Sequence, residues 1–191
     1  MATQELTVLE LLKLNKQFGE ACARVQNNPG LLPVLRSALQ SVIGKVFLVT
    51  TNQDLTVEEG IDEAGPFNYV NSYITSANFP IEGSGTRDDD LQLHHFDRDI
   101  SDTEVNSKLD ALGLERVTEL SVFVAFLRDN PDLQRVFPII SGASWVDQNG
   151  NLGVVCATGA ASGRRRRRRI RLYRPCPFWG DQCRFLVRHT S

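Results

Sequence analysis

The residues best equipped for chemistry in this chain are arginines: Arg164 to Arg169 in an unbroken run, followed by Arg171 and Arg174. Guanidinium forks suit phosphate and other oxyanions, and Tyr173, Phe178 and Trp179 lie close enough in sequence to stack on planar ligands. On a strand, Arg167, Arg169, Arg171 and Tyr173 would face one way, and Arg168, Ile170 and Leu172 the other. Adjacent like charges repel, so the first arginines of the run are expected in a solvated loop. Engaging about six phosphates would make log affinity fall with log salt at a slope of about -5.

Other constellations are poorer. His94, His95, Asp97 and Asp99 offer metal-ligand types, but alternation on a strand points His94 away from His95 and Asp97. His189 would have to arrive from a neighbouring strand, so satisfied structural or surface residues are expected, and no metal. Cys176 and Cys183 have no second pair and no zinc-ribbon spacing. His189 would share the Cys183 face about 20 Å along a strand, too far for a nucleophile and its base. Gly83-Ser84-Gly85 lacks the Lys-Ser/Thr of a phosphate loop and sits among Glu82 and Asp88 to Asp90, which repel phosphate. The expectation is therefore no catalytic residue and no cofactor.

Charge is unevenly distributed behind a net -2. Residues 159–191 carry ten Arg and one Asp, while the rest of the chain carries 11 Lys+Arg and 22 Asp+Glu. An acidic body with a basic end marks that end as an anion-binding surface or as one neutralised by its own body. With 191 residues, 41% of them hydrophobic, the chain can bury a real core, which argues against disorder. No apolar run reaches the ~18 residues of a membrane span; Val46 to Val49 is bounded by Lys45 and Thr50. The start carries Glu5 and Glu10 without a basic cluster, so no secretory signal is read there. Four scattered cysteines suit reduced thiols, and a cytoplasmic location is expected.

The elements that must position these residues follow from spacing. Residues 1–63 read as a helical N-terminal segment suited to assembly or docking. Thr7 with Glu10 caps one helix bearing Leu11, Leu14, Phe18, Cys22 and Val25 on one face, stopped at Asn28-Pro29-Gly30. Pro33 opens a second with Leu35, Leu39, Val42 and Val46 inward, and Thr56 with Glu59 caps a third. Residues 64–90, rich in Gly, Pro and Asn, read as a connector. Then come a strand at Leu91–Phe96 and a helix from Ser101 and Glu104 to Gly113. A second helix follows from Thr118 to Asn130, and a short turn near Leu133. Ile139–Val146 and Leu152–Ala157 flank Asn149-Gly150, suited to the positive-φ positions of a tight hairpin. Arg167–Tyr173 and Cys183–His189 are further strands, the latter with Cys183, Phe185 and Val187 on one face and Arg184, Leu186 and Arg188 on the other. Trp145, Phe137 and Phe185 are expected in the core. The fold class is α+β, with helices segregated from short antiparallel strands.

This order of elements, with Gly142-Ala143-Ser144-Trp145 opening the strands and Cys183-Arg184-Phe185-Leu186-Val187 ending them, resembles the C-type-lectin fold. The nearer likeness is to its formylglycine-generating-enzyme-like branch. There a Gly-Gly-Ser-Trp motif and a terminal Gly-Phe-Arg-hydrophobic motif bracket a loop-rich surface. Gly142, Ser144 and Trp145 match the first; Arg184 and Phe185 match the second in reversed order, and Ala143 and Cys183 stand where that branch has glycines. No pair of cysteines matches the catalytic pair of those enzymes. Residues from about 60 onward also resemble a group of uncharacterised proteins from small-genome candidate-phylum bacteria, with Leu114 to Leu120 resembling their entry to helix two.

The resemblance implies a C-type-lectin-like domain over 91–191, with a variable region at about 143–184. One class with this fold is the variable proteins of diversity-generating retroelements, whose C-terminal codons are rewritten at adenines. Rewriting AAC gives codons ending in C, which cannot encode Trp, Lys, Met, Gln or Glu. Residues 149–178 contain none of the five, although the chain holds 26 such residues and thirty positions should carry about four. Trp145, Gln148, Trp179 and Gln182 flank that window. The first expectation is thus a non-catalytic ligand-binding display protein. Its variable face is expected to use Asn149, Asn151, Arg165, Arg167, Arg169, Arg171, Tyr173, Phe178 and Trp179 on a protein or other macromolecular ligand. The alternative is a nucleic-acid or polyanion-binding module built on Arg164 to Arg169. Oligomerisation, where it occurs, is expected through the N-terminal helices.

Overall fold

A computed structural model describes residues 46–162, 165–174 and 178–190; the side chains of 160–166 lie outside that description. The expected first two helices, Cys22, Arg164 and Cys176 also fall outside the described residues.

Twelve elements follow in order. They are β1 (Phe47–Asn52), α1 (Val57–Glu63), β2 (Tyr69–Val70), β3 (Thr86–His94), α2 (Asp102–Ala111), β4 (Leu114–Arg116), α3 (Leu120–Asp129), α4 (Leu133–Val136), β5 (Ile139–Val146), β6 (Leu152–Ser162), β7 (Arg165–Tyr173) and β8 (Arg184–His189). The fold is α+β: among the described residues, four helices accompany one mixed, open eight-stranded sheet. Its order is β1-β3-β8-β5-β6-β7-β2, with β4 also on β8. The β5/β8 and β2/β7 pairs are parallel and the others antiparallel.

Local signals account for much of this. Thr56/Glu59 and Ser101/Glu104 each form a complete capping box, the hydroxyl taking one orphan N–H and the carboxylate another. Gly113, at φ 68, ends the α2 region in the left-handed conformation that a side chain would oppose. Three readings need correction. Val46, expected inward on a helix, is 49% exposed, and β1 follows it; alternation of Phe47, Val49 and Thr51 inward outweighs the helical spacing. The stretch expected as a connector supplies β2 and the first half of β3, which pairs residue by residue with β1. The β5–β6 turn spans Asp147–Asn151, and of the Asn149-Gly150 pair only Gly150 has positive φ. The Asp147 carboxylate instead holds the loop, accepting from the Asn149 and Asn151 N–H groups at 2.8 Å each.

The sheet buries both faces. One packs under α1, α3 and α4, with Phe47, Leu91, Phe123, Phe126, Ile139, Val155, Ile170 and Leu186 in the core. The other holds Ile100, Val105, Leu109, Ile140, Cys156, Trp179, Phe185 and Val187. The alternation read for the last strand holds: Cys183, Phe185 and Val187 lie in one core and Leu186 in the other. Gly159 lets α4 approach β6, since a Cβ there would sit 2.6 Å from the Arg135 Cα.

Across one face, Arg188 bonds Glu119 through two 2.8 Å contacts and also reaches Glu115 and Asp89, while Arg87 bridges Asp89 and Glu119. Burial would raise the Glu119 pKa, but the Arg188 and Arg87 guanidiniums outweigh it and hold it at about 2. An unfolded Glu titrates near 4.3. The stability this group contributes is therefore complete above about pH 4.5 and is lost as pH falls toward 2. After allowance for solvent screening it amounts to about 2 kcal/mol. Urea unfolding at pH 6 and pH 3 is expected to show a smaller acid-induced loss in Glu119→Gln than in the parent; equal losses would contradict the assignment.

Candidate ligand-binding face

From Arg165 onward the arginine run is a paired strand, which corrects the solvated-loop expectation there. β7 pairs with β6 continuously from Arg165↔Ser162 to Tyr173↔Val154. Repulsion is avoided by geometry. Consecutive arginines point to opposite faces, and the residues across from Arg167, Arg168 and Arg169 are Ala160, Gly159 and Thr158, all uncharged.

The two parities do different work. Arg168, Ile170 and Leu172 point to the first core, where Ile170 is fully buried and Arg168 is 4% exposed. The Arg168 guanidinium donates 2.9 Å bonds to the carbonyls of Ala64, at the end of α1, and Leu127, in the last turn of α3. It also lies 4.3 Å over the Phe67 ring. Helix C-termini expose unbonded carbonyls at the negative end of the dipole, so one cation closes two helices. Burial, then the nearby Arg135, pushes the Arg168 pKa below its ordinary value.

Arg167, Arg169, Arg171 and Tyr173 occupy the other parity. Arg167 is exposed, Arg169 and Arg171 are half-buried, and Tyr173 leans on the second core. Among the described residues, none of Arg167, Arg169 and Arg171 pairs with a carboxylate. β2 brings Tyr69 alongside Arg169, 46% exposed, with the Arg171 guanidinium 5.5 Å from its ring. Sequence reasoning missed Tyr69. It sits in a two-residue strand within a turn-rich stretch, and only its pairing with β7 reveals it.

The remaining candidates do not converge on this row. Asn149 is exposed at the β5–β6 tip, and the Asn151 amide bonds the Asp147 carboxylate. That tip lies beyond the Val154–Tyr173 end, which is itself roughly 20 Å along the strands from Arg167. Phe178 is 59% exposed. Trp179 is 5% exposed in the second core and donates from Nε1 to Asp102 Oδ1 at 3.0 Å, so it packs beneath the surface. Arg165 contributes backbone to β7. Of the expected core aromatics Phe185 is fully buried, whereas Phe137 and Trp145 are partly buried, Trp145 stacking on Tyr73.

The weaker constellations stay apart. His95 Nε2 meets the Asp181 carbonyl at 2.8 Å, His189 meets the Gln92 amide at 3.0 Å, and His94 packs edge-on to Phe96. Burial, then His95, pushes the His94 pKa down. No three His, Cys, Asp or Glu side chains among the described residues form a metal-binding group. Cys156 and Cys183 are buried thiols whose pKa burial pushes up, away from the reactive thiolate. No helix among the described residues is long and apolar enough to cross a membrane. No protein-family model matches the chain, and no curated protein and no solved structure matches it.

Proposed function

We propose that the chain is a non-catalytic ligand-binding protein, a C-type-lectin-like display scaffold with its binding face on the β6–β7 hairpin. The element order β3, α2, α3, then β5 to β8, with β8 returning antiparallel onto β3, is in keeping with that resemblance. The observation that carries the reading is the alternation along β7. One parity anchors the helices, while on the other Arg167, Arg169 and Arg171 pair with no carboxylate among the described residues, and the exposed Arg167 is open to exchange without cost to the core.

Alternation also restricts what can be rewritten. Within 149–178, Val154, Val155, Cys156, Ala157, Arg168 and Ile170 are buried and must stay fixed for the fold to survive. The coding DNA supplies the test. A nearby template copy is expected to carry AAC at Asn149 and Asn151, to differ from the gene at adenines in the codons of Arg167, Arg169 and Arg171, and to match it at Arg168 and Ile170. Adenine-derived differences at Arg168 or Ile170, or codons at the face not derivable from AAC, would remove the display reading.

A further inference from the structure

We infer that the ligand of the β7 face is single-stranded nucleic acid, its phosphates held by Arg167, Arg169 and Arg171 and a base stacked on Tyr69. This names the ligand class of the face just proposed and rests on that reading.

Three features of the face point there. The first is the uncompensated charge. Among the described residues most other arginines find carboxylates, as Arg98 finds Glu104 and Arg128 finds Asp129, whereas these three have none. A row of guanidiniums without counter-charge lowers its free energy by taking an anion. The second is charge segregation across the sheet. Asp88 and Asp90 are exposed on β3, next to the β1 edge, whereas the arginines stand on β7, next to the opposite β2 edge. An anionic polymer is thereby repelled from one side and guided to the other. The third is spacing with an aromatic alongside. Same-face residues on a strand lie about 6.8 Å apart, twice the ~3.4 Å axial rise per phosphate of a stacked strand. A single strand stretched open matches that repeat and presents unstacked bases. Tyr69, half exposed beside Arg169 and already faced by Arg171, supplies the surface on which one can stack. An acidic peptide would use the cations and leave Tyr69 idle.

Fluorescence anisotropy of the full chain tests this with three probes across a salt series: labelled oligo(dT), an abasic oligonucleotide of equal length, and polyglutamate. Oligo(dT) is expected to bind best. R167Q/R169Q removes two phosphate contacts, one from the exposed Arg167 and one from the half-buried Arg169, and should weaken oligo(dT) on the order of tenfold and flatten the log affinity–log salt slope by roughly 1.4. R171Q is added separately, since the Arg171 Nε is buried; unchanged thermal unfolding of R167Q/R169Q keeps the comparison meaningful whatever R171Q does. Y69A is expected to weaken oligo(dT) roughly tenfold and leave the abasic probe unchanged. R98Q, at an arginine away from the face, should alter nothing. Polyglutamate binding as tightly as oligo(dT), Y69A acting equally on both oligonucleotides, or no binding at all would each overturn the nucleic-acid assignment. The display reading would stand through any of these, because it falls only on the codon pattern.

Discussion

Replacing Arg168 with alanine is expected to destabilise the protein by roughly 3 kcal/mol, while Arg167→Ala and Arg169→Ala stay within about 0.5 kcal/mol. Three neighbours of identical type thus differ because of where they point. Arg168→Ala strips the carbonyls of Ala64 and Leu127 of their donor inside the core and removes the cation over Phe67. Hydrogen bonds from a charged donor contribute about 1.5–3 kcal/mol each, partly offset because the variant no longer buries a cation. For a unit of this size the loss corresponds to a Tm lower by about 10 °C. Arg168→Lys keeps the charge without the planar fork that serves two carbonyls, so it should fall between the parent and alanine. Thermal unfolding of the four variants decides the matter; equal shifts for Arg168→Ala and Arg169→Ala would refute the division of β7 into anchoring and free positions.

That division was half legible in the sequence. Ile170 and Leu172 fix the parity of the strand, so Arg168 could be grouped with them and against Arg167, Arg169 and Arg171 from spacing alone. Its task could not be read, because the carbonyls it serves belong to residues 41 and 104 positions away. Signals that act within four residues, such as the two capping boxes and the alternation on β8, were plain for the same reason that distant ones were not. β1 was hidden because Leu35, Leu39, Val42 and Val46 repeat at helical spacing right up to the residue before it. β2 was hidden because two residues carry no periodicity. The pairing of the arginine run surprised because repulsion depends on what stands across the ladder, and Ala160, Gly159 and Thr158 are known only once the register is.

Trp179 shows the same dependence and carries the second large effect. Its Pro-Phe-Trp-Gly setting suits a buried or an exposed ring equally; the ring packs against Phe185 in the second core, and its N–H is taken by Asp102, in the first turn of α2. Asp102 Oδ1 accepts from Trp179 Nε1 at 3.0 Å and from Arg116 at 2.9 Å, and the Arg116 side chain is 8% exposed. Among the described residues, Asp102→Ala leaves that nearly buried guanidinium with only the Ser141 carbonyl, at 2.6 Å, as a hydrogen-bond partner, and orphans the indole N–H. The expected cost is about 3–4 kcal/mol, in the range for breaking a buried ion pair from one side. Removing both charges should cost less than the two single changes together: Asp102→Ala with Arg116→Met is expected to be no worse than Asp102→Ala alone. In a Trp145→Phe background, leaving Trp179 as the sole indole, its emission should shift to the red in Asp102→Ala as water reaches the ring. Strict additivity of the two changes, or an unshifted spectrum, would show that Asp102 does not join the 174–183 segment to α2. With the joint intact, the segment leading from β7 to β8 is tied to the core at Trp179 while Phe178 beside it remains exposed.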